Sequence, residues 1–214
     1  MRRYFDSQLE TLHTQIIEMG AMVEEAIEDS IKALENRDIE LARQVMERDM
    51  EVNAAERDIE KQCLNLILRQ QPVAKDLRDI GSALKIITDM ERIGDQASDI
   101  AEITIRLIKE GSSYQVENIP KMAATAMSMV KQSVTAFVET DTALAQEIIR
   151  RDDQVDALFD KVKQQLVDMI TKDKVAFADT FANLLMIAKY LERIADHATN
   201  IAEWIQFSVT GRHS

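Results

Sequence analysis

Apolar residues recur at helical spacing along most of the chain, and short polar breaks interrupt them. One apolar set is Val45, Val52, Ile59, Cys63 and Leu66, and the next set is Leu77, Ile80, Leu84 and Ile87. Spacings of three, four and seven residues place each set on one face of a helix. The pattern predicts six helices, over residues 3–35, 38–70, 75–110, 120–139, 141–171 and 174–208.

The second half of the chain repeats the first half. Leu41-Ala42 matches Leu144-Ala145, and Glu91-Arg92-Ile93-Gly94-Asp95 matches Glu192-Arg193-Ile194-Ala195-Asp196. The offset falls from 103 to 101 positions across the turn after the second helix, where the length of a chain changes easily. Long helices joined by short turns pack as antiparallel neighbours. We therefore predict an all-α fold, a tandem repeat of two three-helix bundles over residues 1–112 and 113–214.

Composition supports helices and narrows the set of partners. The 214 residues include only 5 Gly and 2 Pro, which disfavours a sheet. The net charge of −12 argues against nucleic acid as a partner and against an anionic membrane surface. No apolar stretch reaches the ~20 residues of a membrane span, so no direct insertion is expected. The single cysteine, Cys63, excludes an intramolecular disulfide and fits a reducing, cytoplasmic setting.

Acidic side chains recur in pairs four residues apart, which places each pair on one helical face. The third helix of each repeat carries Glu-x-x-x-Asp, with apolar residues on several sides. The second helix of each repeat carries Asp49 with Asn53 or Asp152 with Asp156. If the two helices run antiparallel, these side chains converge, and such a cluster is costly unless it binds cations or protons. Oxygen ligands suit Mg²⁺, Ca²⁺, Mn²⁺ or iron, with zinc as a further candidate.

The competing interpretation is that these acids lie on solvated faces and form ion pairs along the helix. Glu10 and His13 have the Glu-x-x-His spacing of di-iron bundles, but no second copy exists, so both are predicted to be surface residues. His197 follows Asp196 directly and is expected to point away from the acidic face. Cys63 is predicted to lie in the core. No nucleophile–base motif or phosphate-binding loop is present, so an enzyme is not indicated.

Two longer segments resemble the PhoU family. One comprises Gln70-Gln71-Pro72-Val73-Ala74-Lys75-Asp76-Leu77-Arg78 followed by Glu91-Arg92-Ile93-Gly94-Asp95-Gln96-Ala97-Ser98-Asp99. The other is Tyr190-Leu191-Glu192-Arg193-Ile194-Ala195-Asp196-His197-Ala198-Thr199-Asn200. The resemblance covers essentially the whole chain. It implies a cytoplasmic negative regulator of phosphate uptake and phosphate-responsive genes, linking the ATPase of a phosphate ABC transporter to a sensor histidine kinase.

Some members of this family bind iron or zinc clusters on their Glu/Asp-x-x-x-Asp motifs, whereas others are metal-free. Carried over by position, the candidate metal ligands are Asp49, Glu91, Asp95 and Asp99 in the first repeat and Asp152, Asp156, Glu192, Asp196 and Asn200 in the second. The chain departs from the full carboxylate pattern at Asn53 and Asn200, so the two sites are expected to differ in occupancy.

The sequence and the resemblance leave two candidate functions. The first is a non-catalytic adaptor, cytoplasmic or peripheral to the membrane through its partners. The second is a carboxylate-bridged multinuclear metal-binding bundle with a storage or enzymatic role. The long apolar-faced helices and the resemblance also suggest a homodimer.

Overall fold

The computed structural model describes residues 2–70, 72–112, 116–173 and 178–212, and six α-helices account for nearly all of them. The helices are α1 Arg2–Asn36, α2 Ile39–Gln70, α3 Ala74–Lys109, α4 Asn118–Glu139, α5 Thr142–Asp173 and α6 Ala178–Thr210. The predicted all-α class is confirmed, and the predicted boundaries agree to within a few residues. The predicted start of the sixth helix, residue 174, lies outside the described residues.

The first turns of the two repeats have the same construction. Arg37 and Thr140 end α1 and α4 in the left-handed conformation, with φ of 56° and 54°. The next residue caps the following helix: Asp38 accepts hydrogen bonds from the backbone N–H groups of residues 40 and 41, and Asp141 from those of residues 143 and 144. A carboxylate at this position satisfies N–H groups that lack a partner within the helix. Both turns therefore fold helix pairs back on themselves.

One continuous hydrophobic core runs through both repeats. The predicted stripe of α2 is buried throughout, and Cys63 is fully enclosed. In α3 the prediction was partly wrong, since Ile80 and Ile87 are buried whereas Leu77 is 47% exposed and Leu84 is only partly buried. The α3 core face instead follows Ile80, Ile86, Ile87, Met90, Ile93 and Ala97. The column of residues that leads from Leu77 to Glu91 thus runs along the edge of the core.

The repeats pack on each other through their third helices. The contact between α3 and α6 is the largest helix–helix interface in the molecule, and α1 also meets α4. A methyl group on Gly20 would lie 2.8 Å from Cγ2 of Val134, so α1 and α4 approach closely only because Gly20 lacks a side chain. Because α3 and α6 pack on each other, polar residues on each of these helices lie close to the other repeat. The division at residues 112 and 113 stays a prediction.

No helix within the described ranges combines the length and the apolar character that a membrane span requires.

Candidate functional site: two acidic clusters beside the inter-repeat helix pair

The first cluster forms where α2 packs against α3. Asp49 of α2 lies close enough to Asp95 and Asp99 of α3 for their charges to raise its pKa, although burial is the larger cause. Its Oδ2 accepts a hydrogen bond from Nδ2 of Asn53 at 2.9 Å, while its Oδ1 is buried without a hydrogen-bond partner. A buried acceptor of this kind costs free energy unless a donor or a cation reaches it.

Glu91 and Asp99 extend the first cluster along α3. Burial raises the pKa of Glu91, and the charge of Asp95 raises it further, with smaller contributions from Glu56 and Asp49. Burial also raises the pKa of Asp99, although a hydrogen bond from the Tyr190 hydroxyl of α6 opposes this rise. Asp49 therefore lies within electrostatic reach of the α3 acids, in a cluster of like charges.

Gly94 lies between the acids of α3 and allows the close approach of α2. A methyl group at this position would lie 3.1 Å from Cγ1 of Val52 and 3.5 Å from Oδ1 of Asp49. The equivalent residue of the second repeat is Ala195, which already carries that methyl group. The missing methyl group of Gly94 therefore lets Val52 and Asp49 of α2 lie close against α3. The sequence pattern alone did not predict this close approach.

The second cluster forms where α5 packs against α6. Burial raises the pKa of Asp152 to about 6, helped by the charges of Asp196 and Asp156. Burial and the neighbouring charge of Glu192 also raise the pKa of Asp196. Asp156 is exposed, so it lies at the rim of this cluster rather than inside it.

A lysine neutralises one end of the second cluster. Nζ of Lys189 lies 2.5 Å from Oε2 of Glu192, one helical turn away along α6. The same ammonium group lies 5.6 Å from the centre of the Phe159 ring of α5. The equivalent positions of the first repeat are Thr88 and Glu56, so the first cluster has a further acid where the second has an aromatic ring.

Polar contacts also cross between the repeats. Asp89 of α3 accepts a hydrogen bond at 3.1 Å from Nδ2 of Asn200, and its Oδ1 lies 2.8 Å from Nδ1 of His197. Asp89 and Asn200 are the repeat equivalents of Tyr190 and Asp99, which form the other crossing contact. The two contacts are thus reciprocal, because each joins the same two repeat positions with the helices exchanged. Asn200, a candidate ligand, is held by Asp89 through its amide nitrogen.

The sequence also singled out four weaker candidates, which are Glu10, His13, His197 and Cys63. Glu10 and His13 are exposed, as predicted, and the His13 ring stacks edge-on with Phe137 at 5.1 Å. Nδ1 of His197 lies 2.8 Å from Oδ1 of Asp89, but His197 also lies near Asp196, so the expectation that it points away from the acidic face stays a prediction. Burial raises the pKa of Cys63 to about 12, which makes this thiol an inert core residue.

Sequence reasoning missed Asp89, Glu56 and Lys189. Asp89 lies two residues before Glu91, Lys189 lies three residues before Glu192, and Glu56 lies one turn beyond Asn53. A comparison of the repeats position by position would have singled them out, because each differs in charge from its counterpart.

The donors fit oxygen-preferring cations such as Mg²⁺, Mn²⁺ or iron, and the partnerless Oδ1 of Asp49 is the atom that such a cation would satisfy. Across the described residues, however, no three His, Cys, Asp or Glu side chains converge on one point as an all-protein metal cage would require. In the first cluster, Asp49, Glu91, Asp95 and Asp99 would therefore need side-chain rotation or further ligands to enclose a cation. Side-chain rotation or further ligands would also be needed in the second cluster, which consists of Asp152, Asp156, Glu192 and Asp196.

Comparison with known proteins connects this arrangement to one family. The PhoU domain model matches residues 16–104 and 119–205, one match in each repeat. The chain is 38% identical over 212 residues to the phosphate-specific transport system accessory protein PhoU homolog of Clostridium acetobutylicum, covering 99% of this chain and 96% of that protein. It is 36% identical over 208 residues to the homolog of the same name from Pseudomonas aeruginosa, covering 97% and 86%.

Solved structures agree with these matches. The crystal structure of PhoU from Pseudomonas aeruginosa superposes with a TM-score of 0.93 at 35% identity, over 97% of this chain and 100% of that one. The phosphate transport system regulatory protein PhoU from Streptococcus pneumoniae superposes with a TM-score of 0.91 at 26% identity, over 98% and 99%. Both repeats, and with them both acidic clusters, fall inside these matches. The chain belongs to the PhoU family.

Proposed function

We propose that this chain is a negative regulator of phosphate uptake and phosphate-responsive gene expression, and that it acts as a non-catalytic adaptor. The observation that carries the proposal is similarity over nearly the whole chain to relatives named as accessory proteins of the phosphate-specific transport system. A solved relative is likewise described as a phosphate transport system regulatory protein. At the coarser level, this supports a role in the regulation of phosphate transport.

The adaptor links two partners, the ATPase subunit of a phosphate ABC transporter and a phosphate-sensing histidine kinase. It is cytoplasmic and reaches the membrane through these partners. It shifts each partner toward an inactive state only if it binds that state more tightly than the active one. The net charge of −12 suits basic surfaces on those partners. We expect the chain to act as a homodimer.

A deletion strain tests the regulatory role. Without this protein, phosphate-regulated genes should be expressed in high phosphate, and a plasmid copy should restore repression. Phosphate uptake is measured in the same cells, so that an effect on the transporter is separated from an effect on the kinase. Genes that stay repressed in high phosphate without the protein would exclude a negative regulator.

A pull-down tests the partners. The full chain, tagged and crosslinked in cells grown in high phosphate, should capture both the transporter ATPase and the kinase. Capture of the ATPase alone would reduce the proposal to a modulator of transport.

A carboxylate-bridged metal-binding bundle is the second candidate, and the partnerless buried Oδ1 of Asp49 favours it. The candidate ligands in this proposal are Asp49, Glu91, Asp95 and Asp99 in the first repeat and Asp152, Asp156, Glu192, Asp196 and Asn200 in the second. The bound charge would offset the repulsion that raises the carboxyl pKa values. Elemental analysis of the purified chain, with a screen for redox and hydrolytic turnover, tests it, and a metal-free preparation that regulates normally would exclude it.

A further inference from the structure

An open cavity of about 550 Å³ lies where α3 crosses α6. Arg92 of α3 and Arg193 of α6 both line it, and they are the same position in the two repeats. Gln96 and His197, a second pair of repeat equivalents, line it as well. The cavity therefore lies between the repeats on the side of the second acidic cluster, and each repeat brings one guanidinium group to it.

Neither arginine forms a close ion pair with an acidic side chain of the described residues. Arg92 is 57% exposed, and its nearest acids are Glu91 at 3.5 Å and Asp95 at 3.8 Å. Exposed pairs at such separations contribute at most about 1 kcal/mol. Within the described part of the chain, Arg193 has no acid within the 4.0 Å of an ion pair. Both guanidinium groups can therefore turn to a ligand at little cost, and guanidinium groups bind phosphoryl oxygens through paired hydrogen bonds.

Gln96 brings an unsatisfied polar group to the wall of the cavity. Its side chain is only 7% exposed, and its amide oxygen is buried without a hydrogen-bond partner. A buried acceptor left in this state costs about 1–3 kcal/mol. A ligand that carries a hydroxyl, such as a protonated phosphoryl group, would supply the missing donor.

Two carboxylates, Asp152 and Asp196, line the same cavity. These carboxylates weaken the binding of an anion alone, and the arginines weaken the binding of a cation alone. A phosphoryl group with a divalent cation satisfies both halves of the lining. Mg²⁺ commonly binds through one or two carboxylates plus the oxygens of a phosphate, rather than in an all-protein cage. This explains how two acids suffice where no three acids of the described residues converge.

We propose that this cavity binds a phosphoryl oxyanion together with a divalent cation. Arg92 and Arg193 bind the phosphoryl oxygens, and Asp152 and Asp196 bind the cation. The inference rests on the second candidate function above only for the cation at the second cluster. The phosphoryl group belongs either to free orthophosphate or to a phosphate chain.

Isothermal titration calorimetry on the full chain tests the proposal. Mg²⁺, orthophosphate, both together, and tripolyphosphate with Mg²⁺ are titrated separately. We expect each anion that binds to bind more tightly with Mg²⁺ than without it. In the variant Arg92→Gln/Arg193→Gln, this affinity should fall at least about tenfold. The control Arg43→Gln/Arg150→Gln removes the same charge from exposed positions of α2 and α5 and should leave the affinity unchanged.

The outcomes separate this inference from the cation proposal. Orthophosphate binding identifies the free ion as the ligand, whereas binding of tripolyphosphate alone identifies a phosphate chain. Mg²⁺ binding through Asp152 and Asp196 that neither anion strengthens would leave the cation proposal standing and overturn this one. Equal anion affinity in the two double variants, or anion binding that is indifferent to Mg²⁺, would also overturn it.

Discussion

The two acidic clusters occupy equivalent positions in the two repeats, yet they handle their charge differently. In the first cluster Glu91 lies near Glu56 and Asp49 of α2, and both of these charges raise its pKa. In the second cluster Glu192 pairs with Lys189, whose ammonium also lies over Phe159. Glu192 thus has a close lysine partner within its own repeat, whereas the cationic partner of Glu91 is the more distant and exposed Arg92, at 3.5 Å.

The same contrast continues at the other end of each cluster. Asp99 of the first repeat is a carboxylate whose raised pKa is opposed by the Tyr190 hydroxyl, whereas its counterpart Asn200 is an amide that donates a hydrogen bond to Asp89. The first cluster thus has more carboxylates on its third helix and no lysine. From this difference we expect the first repeat to bind free divalent cations more tightly than the second.

The largest effect should come from removing each cluster in turn. Asp49→Asn/Asp95→Asn should weaken the tightest divalent-cation site by about 100-fold or more, because two oxygen ligands lose their charge. Asp152→Asn/Asp196→Asn should change that site little and remove only the weaker one. Calorimetry with Mn²⁺ on both variants measures this, and loss of the tight site in the second variant instead would reverse the comparison.

A single lysine should account for much of the difference. Lys189→Thr installs the residue found at the equivalent position, Thr88, and should strengthen cation binding at the second cluster by about tenfold, since one competing positive charge is removed. Lys163→Thr is the matched control, because Lys163 lies 6.0 Å from the same Phe159 ring but pairs with Asp160. Equal effects of the two variants would show that overall charge, rather than the Glu192 pair, sets the affinity.

In the absence of cations, the second cluster should lower the free energy of unfolding. The pKa of Asp152 is raised from 3.8 to about 6 in the folded chain, so ionisation of its carboxyl at neutral pH opposes folding. With solvent screening taken into account, Asp152→Asn should raise the free energy of unfolding at pH 8 by about 1–2 kcal/mol. The gain should shrink as the pH falls through 6 and vanish near 3.8, where the carboxyl is protonated in both states.

Urea denaturation in chelator at several pH values measures this gain. Asp153→Asn is the control, because it removes the same charge from an exposed neighbour. A stability gain that does not depend on pH would contradict the assignment to Asp152.

The smallest effect concerns the two matching turns. Thr140→Gly should stabilise the chain by about 0.5–1 kcal/mol, since glycine adopts a positive φ without the strain of a β-branched side chain. Arg37→Gly should gain less, because Arg37 also donates a hydrogen bond to the backbone carbonyl of Ser112. Thermal denaturation of both variants compares them, and a larger gain at Arg37 would mean that this hydrogen bond contributes nothing.

Local patterns were sufficient to predict the helices and the acidic motifs. Helical periodicity depends on neighbours three and four residues apart, and the caps at Asp38 and Asp141 depend on residues within one turn. The convergence of Asp49 with Asp95 followed from antiparallel packing of α2 on α3, which the short connection at residues 71–73 favours. Leu77 was misassigned because a seven-residue period drifts around a straight helix, and the column moved from the core to its edge.

The sequence by itself therefore determined six helices, a duplicated unit, and two sets of acids on α2, α3, α5 and α6. Tertiary structure decided which side chains of α3 face which side chains of α6. That register joined Asp89 to Asn200 and His197, Tyr190 to Asp99, and brought Arg92 and Arg193 to one cavity. The physical reason is that helical periodicity is the same at every turn, so it specifies which face of a helix is buried but not its register along a neighbouring helix. That register is set by the packing of the whole core.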